Sequence, residues 1–353
     1  MTWHCSAIDH AITFYPDGKV GPCCQVAPDY LKPKSVISDP NRFADLKTDQ
    51  PPDACKICIN NEATGIKSYR QYLNKLNFKK GIQMLDIRNT NLCNLKCRYC
   101  GPHFSDKWAK ELGFSKTLLK SDVPMEVVTN DLSHLYFTGG EPLLNPDHWD
   151  ILKYCVTHFD TSKIVLSYNT NLSTSKYKNI SIENLWSQFK SVEVRCSIDA
   201  VGTPIKYIRS GSNWKNIDKN IRKFAQFSNV KLTISPVVSI LNIWWLDQLY
   251  NYASELNLLV SPIILHGPDY LALDVMPDSL KDRALHIVDQ IHDQSLELVQ
   301  IKKLIENNQN QDLLLHTFSH IMLLDQKRQE KLWDLLPFAK VAQQRILENH
   351  EYE

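Results

Sequence analysis

IQMLDIRNTNLCNLKCRYCG, residues 82–101, runs a short β-rich segment straight into Cys93, Cys97 and Cys100. Cysteine thiolates hold iron–sulfur clusters, and a closed [4Fe–4S] site takes four of them. Three in one tight loop leave one iron without a protein ligand, open to a ligand from outside. A zinc site is the bland alternative, but structural zinc usually draws on two separated pairs and four ligands.

Downstream of this stretch, β-rich runs alternate with helix-like spacers, the pattern of parallel βα units. Six runs stand out: 82–88, 134–140, 163–171, 191–199, 230–239 and 259–267. Between them Trp214, Ile217, Ile221 and Phe224 recur three or four apart, which gives a helix one apolar face. In the fourth run Val192, Val194, Cys196 and Ile198 alternate with Glu193, Arg195, Ser197 and Asp199, and in the third Ser167, Asn169 and Asn171 share a face. A doubly wound sheet buries both faces and reads as continuously apolar. A barrel lumen holding a polar ligand explains the alternation, and a solvated edge strand is the other way to produce it. The expected fold is therefore α/β, a partial (β/α)6 TIM-like barrel over 77–268. A small N-terminal cluster-binding domain (1–76) precedes it and a helical C-terminal extension (269–353) follows.

The second run ends in FTGGEP, with Gly139, Gly140 and Glu141 on the barrel face where the cysteine loop emerges. Glycines allow close backbone approach, and a carboxylate accepts from a cation. Together with CxxxCxxC this resembles the radical S-adenosylmethionine superfamily. The resemblance implies that the amino and carboxylate groups of S-adenosylmethionine chelate the open iron of a [4Fe–4S] cluster. One electron then yields methionine and a 5′-deoxyadenosyl radical that abstracts a substrate hydrogen. It also implies cofactor-binding roles: Gly139, Gly140 and Glu141 toward the methionine amine, Ser197 and Asp199 toward ribose or carboxylate, and Arg209 toward the carboxylate through its fork. Tyr99 is expected near the adenine. Asn169 lies in YNTN, where family members often have a TNG-like turn, and Leu172 replaces the glycine here.

A second cysteine set opens the chain. Cys5, Cys23 and the pair Cys55 and Cys58 are spaced for a four-thiolate site, with Cys24 as the alternative to Cys23, and PDGKVG reads as the hairpin turn that brings the first two together. The set resembles the auxiliary-cluster modules called twitch and SPASM, which implies a second, auxiliary [4Fe–4S] cluster. Zinc remains the alternative from the spacing. Cys155 and Cys196 read as core residues.

Forty basic against thirty-nine acidic residues give a net charge of +1, so no global charge favours nucleic acid or an anionic membrane. The N-terminus lacks a basic, then apolar, export pattern, and no run of eighteen apolar residues occurs, so the expected location is cytoplasmic. The expected partners are a small-molecule or peptide substrate and a one-electron donor such as flavodoxin or ferredoxin. The expected activity is radical oxidation or another radical modification of a small, carbohydrate-like substrate, with the auxiliary cluster as electron acceptor. Peptide maturation is the second reading, and a non-catalytic iron–sulfur or zinc scaffold the reading of another class. Catalytic acid–base residues are not assigned. Asp86, Arg88, Glu193 and Arg195 are expected to line the lumen.

Overall fold

The computed structural model describes residues 3–307, 310–340 and 344. Met1, Thr2 and residues 308–309, 341–343 and 345–353, parts of the expected front domain and helical extension, lie outside the described residues. The chain opens with a hairpin, β1 (Ala11–Phe14) and β2 (Lys19–Gly21), turning through Gly18 at φ +84°. Next come β3 (Lys32–Pro33) and two helices, α1 (Lys56–Ala63) and α2 (Tyr69–Lys75). Ser68 and Gln71 close a capping box that fixes the start of α2.

The parallel strands are β4 (Met84–Ile87), β5 (His134–Phe137), β6 (Val165–Thr170), β7 (Ser191–Cys196), β8 (Val230–Ile234) and β9 (Leu259–Val260). Each pairs in parallel with the next in chain order. A doubly wound sheet reverses its order at a switch point. The sequential winding here is that of a large, mostly parallel α/β sheet consistent with a partial barrel. The crossovers carry α3 (Asp106–Glu111), α4 (Pro146–His158), α5 (Trp214–Phe224) and α6 (Leu246–Glu255). A sequence-specific start is visible in α4, where Asn145 accepts from Asp147 N at 3.1 Å and Pro146 occupies the first turn. Its buried Trp149, Ile151 and Leu152 each contribute about 1.5–3 kcal/mol by leaving water. Cys155 on α4 and Cys196 on β7 are fully buried in this core.

Two findings depart from the sequence reading. First, β1 adds in parallel to β4, with Thr13 opposite Asp86, and β2 and β3 extend the same sheet antiparallel. The front residues are thus bonded to the barrel sheet through their backbone. Second, the fifth and sixth strands are shorter than expected, because Ser235-Pro236 and Ser261-Pro262 interrupt them. Proline has no N–H for the ladder. Pairing resumes beyond the prolines as a separate ladder of Val237–Val238 with Ile263–Ile264.

The sheet faces differ in chemistry. Leu85, Leu135, Leu166, Val192 and Val230 are paired in one buried row against the helices. The opposite, concave face carries the row Asp86, Tyr136, Ser167, Glu193 and Lys231, then Asn169, Arg195 and Thr233. Glu193 and Arg195 are exposed there, as the alternation predicted. After β9 come α7 (Asp278–Asp289), α8 (Leu296–Glu306) and α9 (Leu314–Arg328). His316 and His320 of α9 pack on the Tyr270 ring. Among the described residues no helix is long and apolar enough to cross a membrane.

Candidate functional site

The Cys93–Cys100 loop leaves β4 and is anchored by a set of hydrogen bonds to its backbone. Asn91, fully buried, donates to Pro102 O and Thr117 O, both at 2.9 Å, and accepts from Leu119 N at 2.8 Å. Asp106 accepts from Cys93 N at 2.8 Å, Ser105 Oγ donates to Leu95 O at 2.7 Å, and Trp108 Nε1 donates to Cys97 O at 2.8 Å. Cys100 N closes the turn on Cys97 O at 2.9 Å. Burial pushes the Cys97 thiol up to about 12, against the pull of the Arg209 guanidinium, and raises Cys93 and Cys100 as well.

The glycine pair after β5 lies directly on this loop. A Cβ on Gly139, which has φ +103°, would stand 2.7 Å from Thr90 O, and one on Gly140 only 2.2 Å from Leu92 O. That proximity lets Gly140 N donate to Thr90 O at 3.0 Å and Glu141 N to Leu92 O at 2.7 Å. The Glu141 carboxylate, almost fully buried, accepts from Thr170 Oγ1 (2.5 Å), Asn171 N (2.8 Å) and Leu143 N (3.1 Å). Burial pushes this carboxyl above its ordinary value, and those bonds pull it back. Glu141 therefore ties the end of β6 to the glycine turn.

Cys97 pairs across a two-residue ladder with Arg209. The resemblance aimed the Arg209 fork at the cofactor carboxylate. In the structure the fork holds Asp199, Nε at 2.7 Å and Nη2 at 3.0 Å. Asp199 has no exposed surface and also accepts from Tyr99 OH at 2.7 Å and Val237 N at 2.9 Å. A carboxylate removed from water needs such partners, so Asp199, Tyr99 and Arg209 form one closed network, with Arg209 Nη1 left 3.8 Å from Cys97 Sγ. Ser197 and Asn169 lie on the concave face. Asn169 Oδ1 is buried without a hydrogen-bond partner, an acceptor suited to a polar ligand on that face. Three free thiols in one hydrogen-bonded loop, an adjacent cation and this orphaned acceptor fit a [4Fe–4S] cluster and S-adenosylmethionine by the chemistry of their donors.

Arg98, between Cys97 and Tyr99, had no place in the sequence reading. Only 1% of its side chain is exposed; it lies 3.5 Å over the Tyr207 ring and donates to Asp325 (2.6 Å), Glu330 (2.7 Å) and Tyr207 O (3.0 Å). Arg328 joins from the same helix end, bonding Lys96 O at 3.0 Å and Glu111 at 2.9 Å. A charge inside a cluster motif hints at a partner, but the partner is more than 200 positions away and carries no local signal.

In the front region Cys5, Cys23, Cys55 and Cys58 line one small cavity of about 10 Å³ with Arg70. Burial pushes the Cys5 thiol up to about 11 and also raises Cys23 and Cys55. Cys24 turns away and bonds Asp86, which itself holds Arg88 at 2.8 Å. Asp86 and Arg88 are thus an internal ion pair, while Glu193 and Arg195 stay open. Among the described residues no three such side chains already stand as a metal-holding group.

Two relatives align with roughly half of the chain. An uncharacterized protein of Methanocaldococcus jannaschii is 26% identical over 177 residues, 49% of this chain and 58% of that protein. The mycofactocin maturase of Mycobacterium tuberculosis is 26% identical over 173 residues, 47% of this chain and 40% of its own length. Residues 87–253 match the radical SAM superfamily. The cysteine triplet, the glycine turn, Glu141, Asn169, Asp199 and Arg209 all fall inside that match.

Proposed function

We propose that the chain oxidises a small, polar, carbohydrate-like substrate by radical S-adenosylmethionine chemistry. A second [4Fe–4S] cluster on Cys5, Cys23, Cys55 and Cys58 serves as electron acceptor. The observation that carries this reading is the joining of two cysteine sets by one sheet, with Cys24, next to the second set, bonded to Asp86 on the strand that feeds the first. When bound, the cluster at Cys93, Cys97 and Cys100 supplies one electron to S-adenosylmethionine, releasing methionine and a 5′-deoxyadenosyl radical that takes a substrate hydrogen atom. The substrate gives up a further electron and a proton. In sum, S-adenosylmethionine and a CH–OH group become methionine, 5′-deoxyadenosine, a carbonyl and a proton.

The chain's own residues orient and shield. Glu193 and Arg195, exposed side by side on the concave face, offer an acceptor and a donor fork to hydroxyl groups. The Asn169 acceptor lies beside them in register with Arg195. Tyr69 and Tyr72 of α2, stacked at 5.7 Å, screen part of this face, and the charges of Glu193 and Arg195 act on Tyr72. A second reading, modification of a peptide, is favoured by the likeness to the maturase.

The test is anaerobic reconstitution followed by S-adenosylmethionine and dithionite. The wild type is expected to release 5′-deoxyadenosine and to hold about eight irons, against about four in the Cys93→Ala, Cys97→Ala, Cys100→Ala variant. Four irons in the wild type and almost none in the variant would remove the electron-acceptor role, and absence of 5′-deoxyadenosine would remove the radical reading.

A further inference from the structure

The segment directly after Cys100 has an unusual surface. Phe104 is 63% exposed, Phe114 50%, Leu112 49% and Leu118 45%. Among the described residues these are the only phenylalanines so exposed. The charged side chains exposed between residues 103 and 120 are Lys107, Lys110, Lys116 and Lys120, the last paired with Asp147 at 2.7 Å, with His103 beside them. The two carboxylates of the segment are turned inward. Asp106 holds Cys93 N, and Glu111 is enclosed by Arg328 and Lys96. In a chain of net charge +1 this is a local concentration of positive charge around exposed apolar rings. Phe104 N also bonds Gly101 O at 3.1 Å, so the patch starts within one turn of the cluster loop.

We propose that this face, from Phe104 to Lys116, docks a small acidic electron-carrier protein that delivers one electron to the cluster on Cys93, Cys97 and Cys100. The proposal rests on the radical reading above. The step moves a single electron: the carrier is oxidised by one electron, the cluster is reduced by one, and no bond is made or broken. Charge complementarity selects the partner. Lysines around a patch steer an acidic surface and speed encounter, while buried aromatic anchors hold it. A mobile reductant of low molecular weight needs neither feature.

The experiment is anaerobic stopped-flow reduction of the reconstituted protein by reduced flavodoxin, in wild type and in the Lys110→Glu, Lys116→Glu variant. Neither lysine touches the cysteine loop, and iron content checks that the variant has folded and loaded. At about 20 mM salt the variant is expected to be reduced on the order of 10-fold more slowly, and the difference to shrink near 0.5 M as screening removes the steering. Dithionite is expected to reduce both proteins equally. A Phe104→Ser, Phe114→Ser variant is expected to keep the salt dependence and lose rate. Equal flavodoxin rates in wild type and lysine variant at low salt overturn the docking face. A wild-type cluster that accepts no electron even from dithionite overturns the radical reading, and this proposal with it.

Discussion

Replacing Gly140 with alanine tests whether the glycine turn shapes the cysteine loop. The new Cβ would stand 2.2 Å from Leu92 O, so the two backbones must part by at least about 1 Å to regain ordinary contact. That movement stretches the bonds Gly140 N to Thr90 O and Glu141 N to Leu92 O, now 3.0 and 2.7 Å, beyond useful length. Each of the two buried donors left unpaired costs about 1–3 kcal/mol, so the expected loss is about 2–6 kcal/mol. At about 2.1 cal/mol/K per residue, 353 residues give an unfolding entropy near 0.7 kcal/mol/K, and Tm should fall by about 3–8 °C. Gly101 is the matched control. It follows Cys100 directly, yet a Cβ there meets nothing within 4 Å, and alanine should change stability by less than about 0.5 kcal/mol. Thermal unfolding of the metal-free proteins by circular dichroism, with iron per chain after anaerobic loading, compares the two. If Gly140→Ala unfolds within about 1 °C of Gly101→Ala and binds the same iron, the steric argument is refuted.

Arg98→Met leaves Asp325 and Glu330 without their shared cation and should cost about 3–5 kcal/mol, with reduced iron binding at the triplet; adding Asp325→Asn should recover part of the loss in a double-mutant cycle. Cys23→Ser should lower iron content by about four per chain, whereas Cys24→Ser, outside the four-thiol cavity, should not. Burial holds His134 at about 4 and His148 at about 3. Between about pH 6.5 and 4 the unfolded chain therefore binds protons that the folded chain refuses, and stability falls as pH falls through that window. His134→Gln should flatten the slope by up to about 1.4 kcal/mol per pH unit, read from urea unfolding at a series of pH values, and an unchanged slope would contradict the assigned shift.

What could be read from the sequence was the chemistry that repeats over short distances. The alternation of Val192 and Val194 with Glu193 and Arg195 revealed the two faces of β7, because strand periodicity is set by the backbone alone. The parallel units were equally plain, since each strand and its spacer are contiguous. Pro236 and Pro262 were visible too, yet their effect on the ladder was overlooked because the β-branched residues on both sides hid the break. PDGKVG disclosed the hairpin that begins with Ala11–Phe14, but not the parallel pairing of that strand with Met84–Ile87, which joins segments about 70 positions apart. At the site, local motif reading found Glu141 and Arg209 but could not tell that Thr170 and Asp199 would engage them, as those contacts depend on how neighbouring strand ends meet. Exposure of the phenylalanines after Cys100 is likewise a property of the folded surface.

The hold of Asp325 and Glu330 on Arg98 also sets an order of events in the cell. Arg98 leaves the ribosome more than 200 residues before its partners. At about 5–20 residues per second of synthesis, the cysteine loop waits roughly 10–45 s without the contacts that fix it. Nascent chains therefore display three closely spaced thiols on a scaffold that still lacks the Asp325 and Glu330 contacts. During that interval, until Leu314–Arg328 has emerged, the three thiols are open to oxidation.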